Sequence, residues 1–294
     1  MLPEGVRREV ESHFGAVRDA QPVGGGCISQ PARIETERRG AVFLKHHANV
    51  PARFFAAEAE GLAALRAAAG DGVRVPEVLA VCETTEPGPA WIALEWLEPA
   101  PREADFAERL GRGLAAVHRE GRGWWGWGQA NFIGSLPQEN APSATWADFW
   151  RDRRLTPQLD LARFRGTLPG TGDEWERLFG RLPEVLGAVE EDGPSLLHGD
   201  LWSGNVLACA AGPALIDPAV YRGHREVDLA MAELFGGFDA RFFAAYDEAW
   251  PLLPGYREAR RGVYQLYYLL AHVNLFGGSY VGQTASLLRR IIAA

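Results

Sequence analysis

The sequence predicts an α+β chain of two lobes: a small antiparallel sheet with one main helix in residues 1–97, and a larger, mostly helical part in residues 98–294. Two observations carry that reading. In the first hundred residues, short β-like runs are separated by glycine and proline turns and interrupted by a single helical stretch. Beyond Glu98-Pro99 the apolar residues recur mainly at helical spacing. A sheet lobe joined to a helical lobe by a short connection near 95–99 implies a cleft between them.

Residues 4–17 carry a short amphipathic pattern, and Gly24-Gly25-Gly26 then break the chain. Two strands follow, Arg33–Glu37 and Ala41–Lys45, divided by the turn residues Arg38-Arg39-Gly40; a fainter one precedes the glycines near Gln21–Val23. From Pro51 the pattern turns helical and stops at Gly70, with Asp71-Gly72 behind it. VLAVCE (78–83) and WIALEWL (91–97) read as two more strands. Phe106–Arg119 is a clear amphipathic helix, an irregular Gly/Trp/Pro-rich stretch covers 121–145, and helices are expected near 146–163 and 173–191. VLAC (206–209) and ALID (214–217) form a hairpin about Ala-Ala-Gly-Pro, and the remainder is helical.

A net charge of −8 without basic runs argues against a nucleic-acid partner. Cys27, Cys82 and Cys209 are odd in number and far apart, with no CxxC pair, which reads as a reducing cytoplasm rather than a disulfide framework or a zinc site. The stretch MLPEGVRREVESHF has no apolar core of a secretory signal. Val263–Phe276, the longest apolar run, is interrupted by Gln265, His272 and Asn274 and is too short to span a bilayer, so no membrane partner is expected. Of the 30 basic residues, 29 are arginine, and the single lysine is Lys45. An ammonium is a compact point charge and a guanidinium a planar fork. Lys45 therefore marks either a site that accepts only the ammonium or a chance survival.

The densest polar information is His198-Gly-Asp-Leu-Trp-Ser-Gly-Asn205, followed twelve residues later by Asp217 at the end of a short strand. Phosphoryl transfer needs a carboxylate near the attacking hydroxyl and oxygen ligands for the Mg²⁺ that neutralises the phosphates. Asp200, Asn205 five residues on, and Asp217 ending a hairpin strand have the arrangement of a kinase catalytic loop and metal-binding aspartate. Lys45 would then lie on the third strand, where a kinase places its phosphate-contacting lysine, and no GK[ST] is present for a Walker A loop. That lysine needs a glutamate from the next helix. Phe55, Glu58, Leu62 and Leu65 share one helical stripe while Glu60 points away, so Glu58 is the inward partner and Glu60 the solvated one. Gly24, Gly25 and Gly26 offer bare backbone N–H groups for phosphates.

The segments GGGCIS, VFLKHH, HGDLWSGN, IDPAVYRGHREVDLAMAELFGGF and LLAHVNLFGG resemble the fructosamine-3-kinase (ketosamine-3-kinase) family, within the protein-kinase-like superfamily beside the aminoglycoside phosphotransferases. The resemblance implies a bilobal protein-kinase-like fold and an enzyme that uses ATP and Mg²⁺ to phosphorylate the 3-hydroxyl of ketosamines, free or on glycated proteins. The 3-phosphate then eliminates and frees the amine. It also implies roles: Asp200 as general base, Asn205 and Asp217 as metal ligands, and Lys45, held by Glu58, on the ATP phosphates. Glu95, Trp96 and Leu97 would offer backbone groups to adenine, and Asp228 and His198 would brace the catalytic loop. The glycine turn is not the GxGxxG of protein kinases, and DPA replaces DFG at Asp217, which argues against activation-loop switching of the protein-kinase type.

Seven of the ten tryptophans lie between 124 and 202. Six of them read as core, whereas Trp202, two residues after Asp200, is the candidate sugar platform. His118 reads as a packed or capping residue. His272, in QLYYLLAHVNLF, is an ordinary buried histidine by pattern, and the resemblance brings it toward substrate. Cys27 is either a redox-sensitive thiol in the phosphate loop, giving a monomer or a redox-dependent homodimer, or a small loop residue. The competing readings are an aminoglycoside- or amino-alcohol-type phosphotransferase on the same fold and a non-catalytic nucleotide-binding module.

Overall fold

The computed structural model describes residues 2–24, 29–82, 88–121 and 123–293. Helix α1 (Glu4–Phe14) leads into five antiparallel strands: β1 (Val17–Pro22), β2 (Gln30–Thr36), β3 (Gly40–Val50), β4 (Val78–Val81) and β5 (Gly88–Glu95). Their order is β1-β2-β3-β5-β4, and α2 (Phe54–Ala68) is inserted between β3 and β4. The faint strand before the glycines is real, so β3 is the third strand, with Lys45 opposite Pro31 and Ile92.

Strand alternation explains how both faces of the sheet are covered. Ile34, Val42, Leu44, Trp91 and Ala93 pack beneath Val6, Val10 and Phe14 of α1. Ile92 and Leu94 face the other way and join Phe55, Leu62 and Leu65 of α2 in a core continuous with the helical lobe. Lys45, next in sequence to inward-facing Leu44, emerges on this α2 side.

The helical lobe begins with α3 (Phe106–Arg119) and a hairpin of β6 (Asn131–Ile133) and β7 (Leu136–Gln138). The stretch expected as one helix near 146–163 is α4 (Trp146–Phe149) and α5 (Thr156–Phe164), joined through a π-turn at Trp150–Leu155. A reciprocal Thr171–Glu174 capping box starts α6 (Gly172–Gly187), which stops before the expected 191 and leaves a 3₁₀ turn at Glu190–Asp192. Then come β8 (Ser195–Leu197), the hairpin β9 (Val206–Cys209) and β10 (Gly212–Leu215), β11 (Tyr221–Gly223) paired with β8, and helices α7 (Glu226–Leu234), α8 (Ala240–Ala249), α9 (Arg261–Phe276) and α10 (Ser279–Ala293). Trp146, Trp150, Trp175, Tyr264, Tyr267 and Tyr268 fill the centre. No helix among the described residues is long and apolar enough to cross a membrane.

Candidate active site

The segment after β8 and the segment after β10 are stitched together. The His198 imidazole donates Nε2–H to the Ile216 carbonyl at 2.8 Å, the Ala219 N–H donates to the His198 carbonyl at 2.8 Å, and the Ile216 N–H donates to the Asn205 carbonyl at 3.1 Å. These bonds bracket Asp217, which sits at φ +54°, a left-handed backbone that a non-glycine residue holds only when its surroundings impose it. Gly199 is required at the same junction: its φ is +82°, and a Cβ there would fall 2.0 Å from the Ala219 carbonyl oxygen.

Asp228, at the start of α7, accepts the His198 and Gly199 N–H groups at 2.7 and 2.9 Å and so holds the backbone immediately before Asp200. Behind it lies His118 of α3, whose Nε2 is 3.1 Å from Asp228 and whose Nδ1 is 2.8 Å from the Tyr246 hydroxyl. Sequence reading placed His118 as packed or capping, and the structure adds that it buttresses Asp228. Its signal was a histidine on the apolar face of an amphipathic helix, which does not reveal its partner.

Lys45 is 5% exposed and donates to Glu58 at 2.7 Å and to Asp217 at 2.5 Å. Burial opposes its charge, but the two carboxylates outweigh that and hold its pKa above the ordinary lysine value. Glu60 instead pairs with Arg53 on the outer face of α2. The Asn205 amide nitrogen donates to the Asp200 carbonyl and carboxylate at 2.9 and 3.2 Å, and its amide oxygen has no hydrogen-bond partner among the described residues. Asp200 is pushed up to about 7, first by desolvation and then by the Asp217 carboxylate.

Lys45, Glu58, Asp200, Trp202, Asn205, Asp217 and His272 all line one cavity of about 640 Å³ between the lobes. Asp200, Asn205 and Asp217 bring hard oxygen donors together, and the Asp217 carboxylate raises the proton affinity of Asp200, a donor set that fits Mg²⁺. No group of three or more His, Cys, Asp or Glu suited to a metal occurs among the described residues, so an ion here would complete its shell with phosphate oxygens and water.

The adenine segment is placed apart from that cavity. The Glu95 N–H already donates to the Glu77 carbonyl at 2.8 Å, and its carboxylate binds Arg74 at 2.8 Å, so the Glu95 N–H is not available to a base. The backbone groups of Trp96 and Leu97 make no hydrogen bond among the described residues, which fits an edge-on purine. Gly24 closes the described part of its turn, and Gly25, Gly26 and Cys27 lie outside the described residues.

Sequence reasoning missed the aromatic walls. Phe54 of α2 and Phe132 of the β6–β7 hairpin meet at 4.9 Å across the lobes, and Phe235, Phe276 and Tyr280 flank His272.

A sheet lobe presenting a lysine–glutamate pair to an Asp…Asn…Asp floor in a helical lobe is the architecture of a protein-kinase-like phosphotransferase, and the chain is an ATP-dependent one. The chain belongs to the fructosamine kinase family, whose model matches residues 4–294. It is 39% identical to a Synechocystis protein named "Probable ketoamine kinase", over 94% of this chain and 91% of that one. Mouse ketosamine-3-kinase is 32% identical over 91% of this chain and 93% of its own. Among solved structures, a Thermobifida fusca protein assigned as a fructosamine-3-kinase superposes with a TM-score of 0.83, 34% identity and full coverage of both chains. The fold alone is shared with aminoglycoside phosphotransferase APH(4)-Ia, at a TM-score of 0.64 and 16% identity over 98% of this chain and 97% of that one.

Proposed function

We propose that this chain transfers the γ-phosphoryl group of ATP to the 3-hydroxyl of a ketosamine, with residues 1–97 holding nucleotide and residues 98–294 holding the acceptor. The observation that carries the reading is Asp200 on the floor of the cavity, aimed by Asp228 through two backbone bonds and facing the Lys45–Asp217 pair. Asp200 accepts the hydroxyl proton as the oxygen attacks. Its raised proton affinity suits that task, because a base poised near neutrality is ionised at working pH and still takes a proton in the transition state. Lys45, oriented by Glu58, supplies a fixed positive charge to the phosphates. Asn205 and Asp217 would hold Mg²⁺, which when bound neutralises phosphate charge. Trp202, 41% exposed on the cavity wall, offers a flat apolar face to the sugar C–H surface. Release of the 3-phosphate by elimination makes the reaction a deglycation.

The test is ATP consumption across ribulosamines, fructosamines and aminoglycosides. Turnover on the ketosamines alone supports the reading, and turnover only on aminoglycosides refutes it.

A further inference from the structure

Asn131, Gln138, Asn140 and Arg154 are buried together in the helical lobe. The first three belong to the β6–β7 hairpin and its exit, and the fourth to the π-turn after α4. Arg154 is fully buried, and no carboxylate pairs with it among the described residues. Its guanidinium carbon lies 3.8 Å from the Tyr221 ring centroid and 4.6 Å from that of Phe149, so aromatic faces replace part of the lost solvation.

The hydrogen bonds among these side chains run in one direction. Arg154 can only donate, and it gives an N–H to the Asn140 amide oxygen at 2.7 Å. The Asn140 nitrogen therefore faces the Asn131 amide oxygen, at 2.8 Å, and the Asn131 nitrogen faces the Val220 carbonyl, at 2.7 Å. Gln138 joins from a second branch. Tyr267 donates its hydroxyl to the Gln138 amide oxygen at 2.6 Å. The Gln138 nitrogen donates to the Asn131 amide oxygen at 2.8 Å and to the Ala219 carbonyl at 3.2 Å. The chain begins at a guanidinium that can only donate and ends on two backbone carbonyls that can only accept, so each amide in it has one orientation.

Those two carbonyls lie two and three residues beyond Asp217. The Ala219 N–H is committed to the His198 carbonyl, and Asp217 itself holds a left-handed backbone. With residues 219 and 220 pinned on both sides, Asp217 cannot relax to the negative φ that a non-glycine residue prefers. Gln138, Arg154 and Tyr267 do not line the cavity, so whatever they do for the site they do through this backbone.

Resting on the assignment of Asp217 to Mg²⁺ above, we infer that Gln138, Arg154 and Tyr267 are positioning residues for the metal. Their directed amide chain fixes the backbone that aims the Asp217 carboxylate.

The test uses variants that leave the cavity lining intact. Gln138→Met keeps the side-chain length and removes both donated bonds, and Tyr267→Phe deletes one hydroxyl. Calorimetry with AMP-PNP, once with Mg²⁺ and once with EDTA, gives the gain in affinity that the metal supplies. Gln138→Met should lose about tenfold or more of that gain while its affinity in EDTA stays within about twofold of wild type. Tyr267→Phe, missing a single hydrogen bond, should lose about threefold. Arg154→Lys, which keeps a charged donor, should retain more of the gain than Arg154→Met. Partial unfolding lowers the number of binding sites and not the ratio of affinities, so a merely structural role would not move this readout. A full wild-type gain in both Gln138→Met and Tyr267→Phe, with the gain lost in Asp217→Asn, overturns the inference and leaves Asp217 as a metal ligand. If Gln138→Met does not fold, an unchanged gain in Tyr267→Phe is sufficient to overturn it. A gain that survives Asp217→Asn, or is missing from wild type, overturns the metal assignment and the inference together.

Discussion

Lys45→Arg is the substitution in which the site's geometry and the chain's composition make opposing demands. Arginine serves at every other basic position, so nothing in the background opposes it. At Lys45, one nitrogen serves two carboxylates at 2.7 and 2.5 Å inside a pocket that leaves the residue 5% exposed. A guanidinium is longer and planar, and its N–H groups point along fixed forks. It can keep Glu58 or Asp217, but not both from one atom. Losing one charge-assisted bond costs about 1.5–3 kcal/mol. If that loss falls on the phosphate-bound state, kcat/KM for ATP drops about 10- to 100-fold. The extra volume costs about 1–3 kcal/mol of stability by overpacking. A coupled ADP-release assay at varied ATP, with a thermal melt alongside, reads both effects. Wild-type kcat/KM in a folded Lys45→Arg protein would refute the reasoning and return the lone lysine to chance.

Asp200→Asn should lower phosphoryl transfer by about 10²–10⁴-fold, the usual contribution of a positioned base, while calorimetry still detects nucleotide binding; undiminished turnover contradicts it. The same variant has a stability signature. Asp200 is raised from 3.8 to about 7 in the folded chain, so the native state holds the extra proton and the nucleotide-free protein loses stability as pH rises between these values. Asn removes that loss, so the variant should melt higher than wild type at pH 8, with no such gain near pH 4. Asp228→Asn withdraws the negative acceptor from the His198 and Gly199 N–H groups. It should cut kcat about tenfold or more with KM for ATP within about threefold, and a change confined to KM would show that Asp228 does not act through the loop.

Much of this is legible in the sequence, and the parts that are not have physical reasons. Strands β2, β3 and β5 follow from alternation, and α3 from its apolar stripe, whose ends at Phe106 and Arg119 match the expectation. Glu58 was separable from Glu60 because only one of two positions two residues apart can face the sheet. The β6–β7 hairpin was invisible: three-residue strands built from Asn131, Phe132 and Ile133 and from Leu136, Pro137 and Gln138 show no period, and side-chain bonds hold them, such as Asn131 to the Val220 carbonyl at 2.7 Å. The β8–β11 pair is hidden for the same reason of length. The aromatic walls failed differently. Helix α9 is apolar nearly all round, so periodicity marks its whole surface as core, and only the neighbours of His272 distinguish ring faces open to a cavity from those packed inside. The six tryptophans read as core divide the same way: Trp146, Trp150 and Trp175 are fully buried, whereas Trp124 is 40% exposed.

The most direct test of the account is where the phosphate lands. Incubating the protein with ATP, Mg²⁺ and a ribulosamine, and following the mixture by phosphorus–proton correlation NMR, should show phosphate coupled to the proton on sugar carbon 3. That signal should decay as free amine appears, and it should be absent with Asp200→Asn. Phosphate on any other carbon, or full signal from Asp200→Asn, would contradict the account.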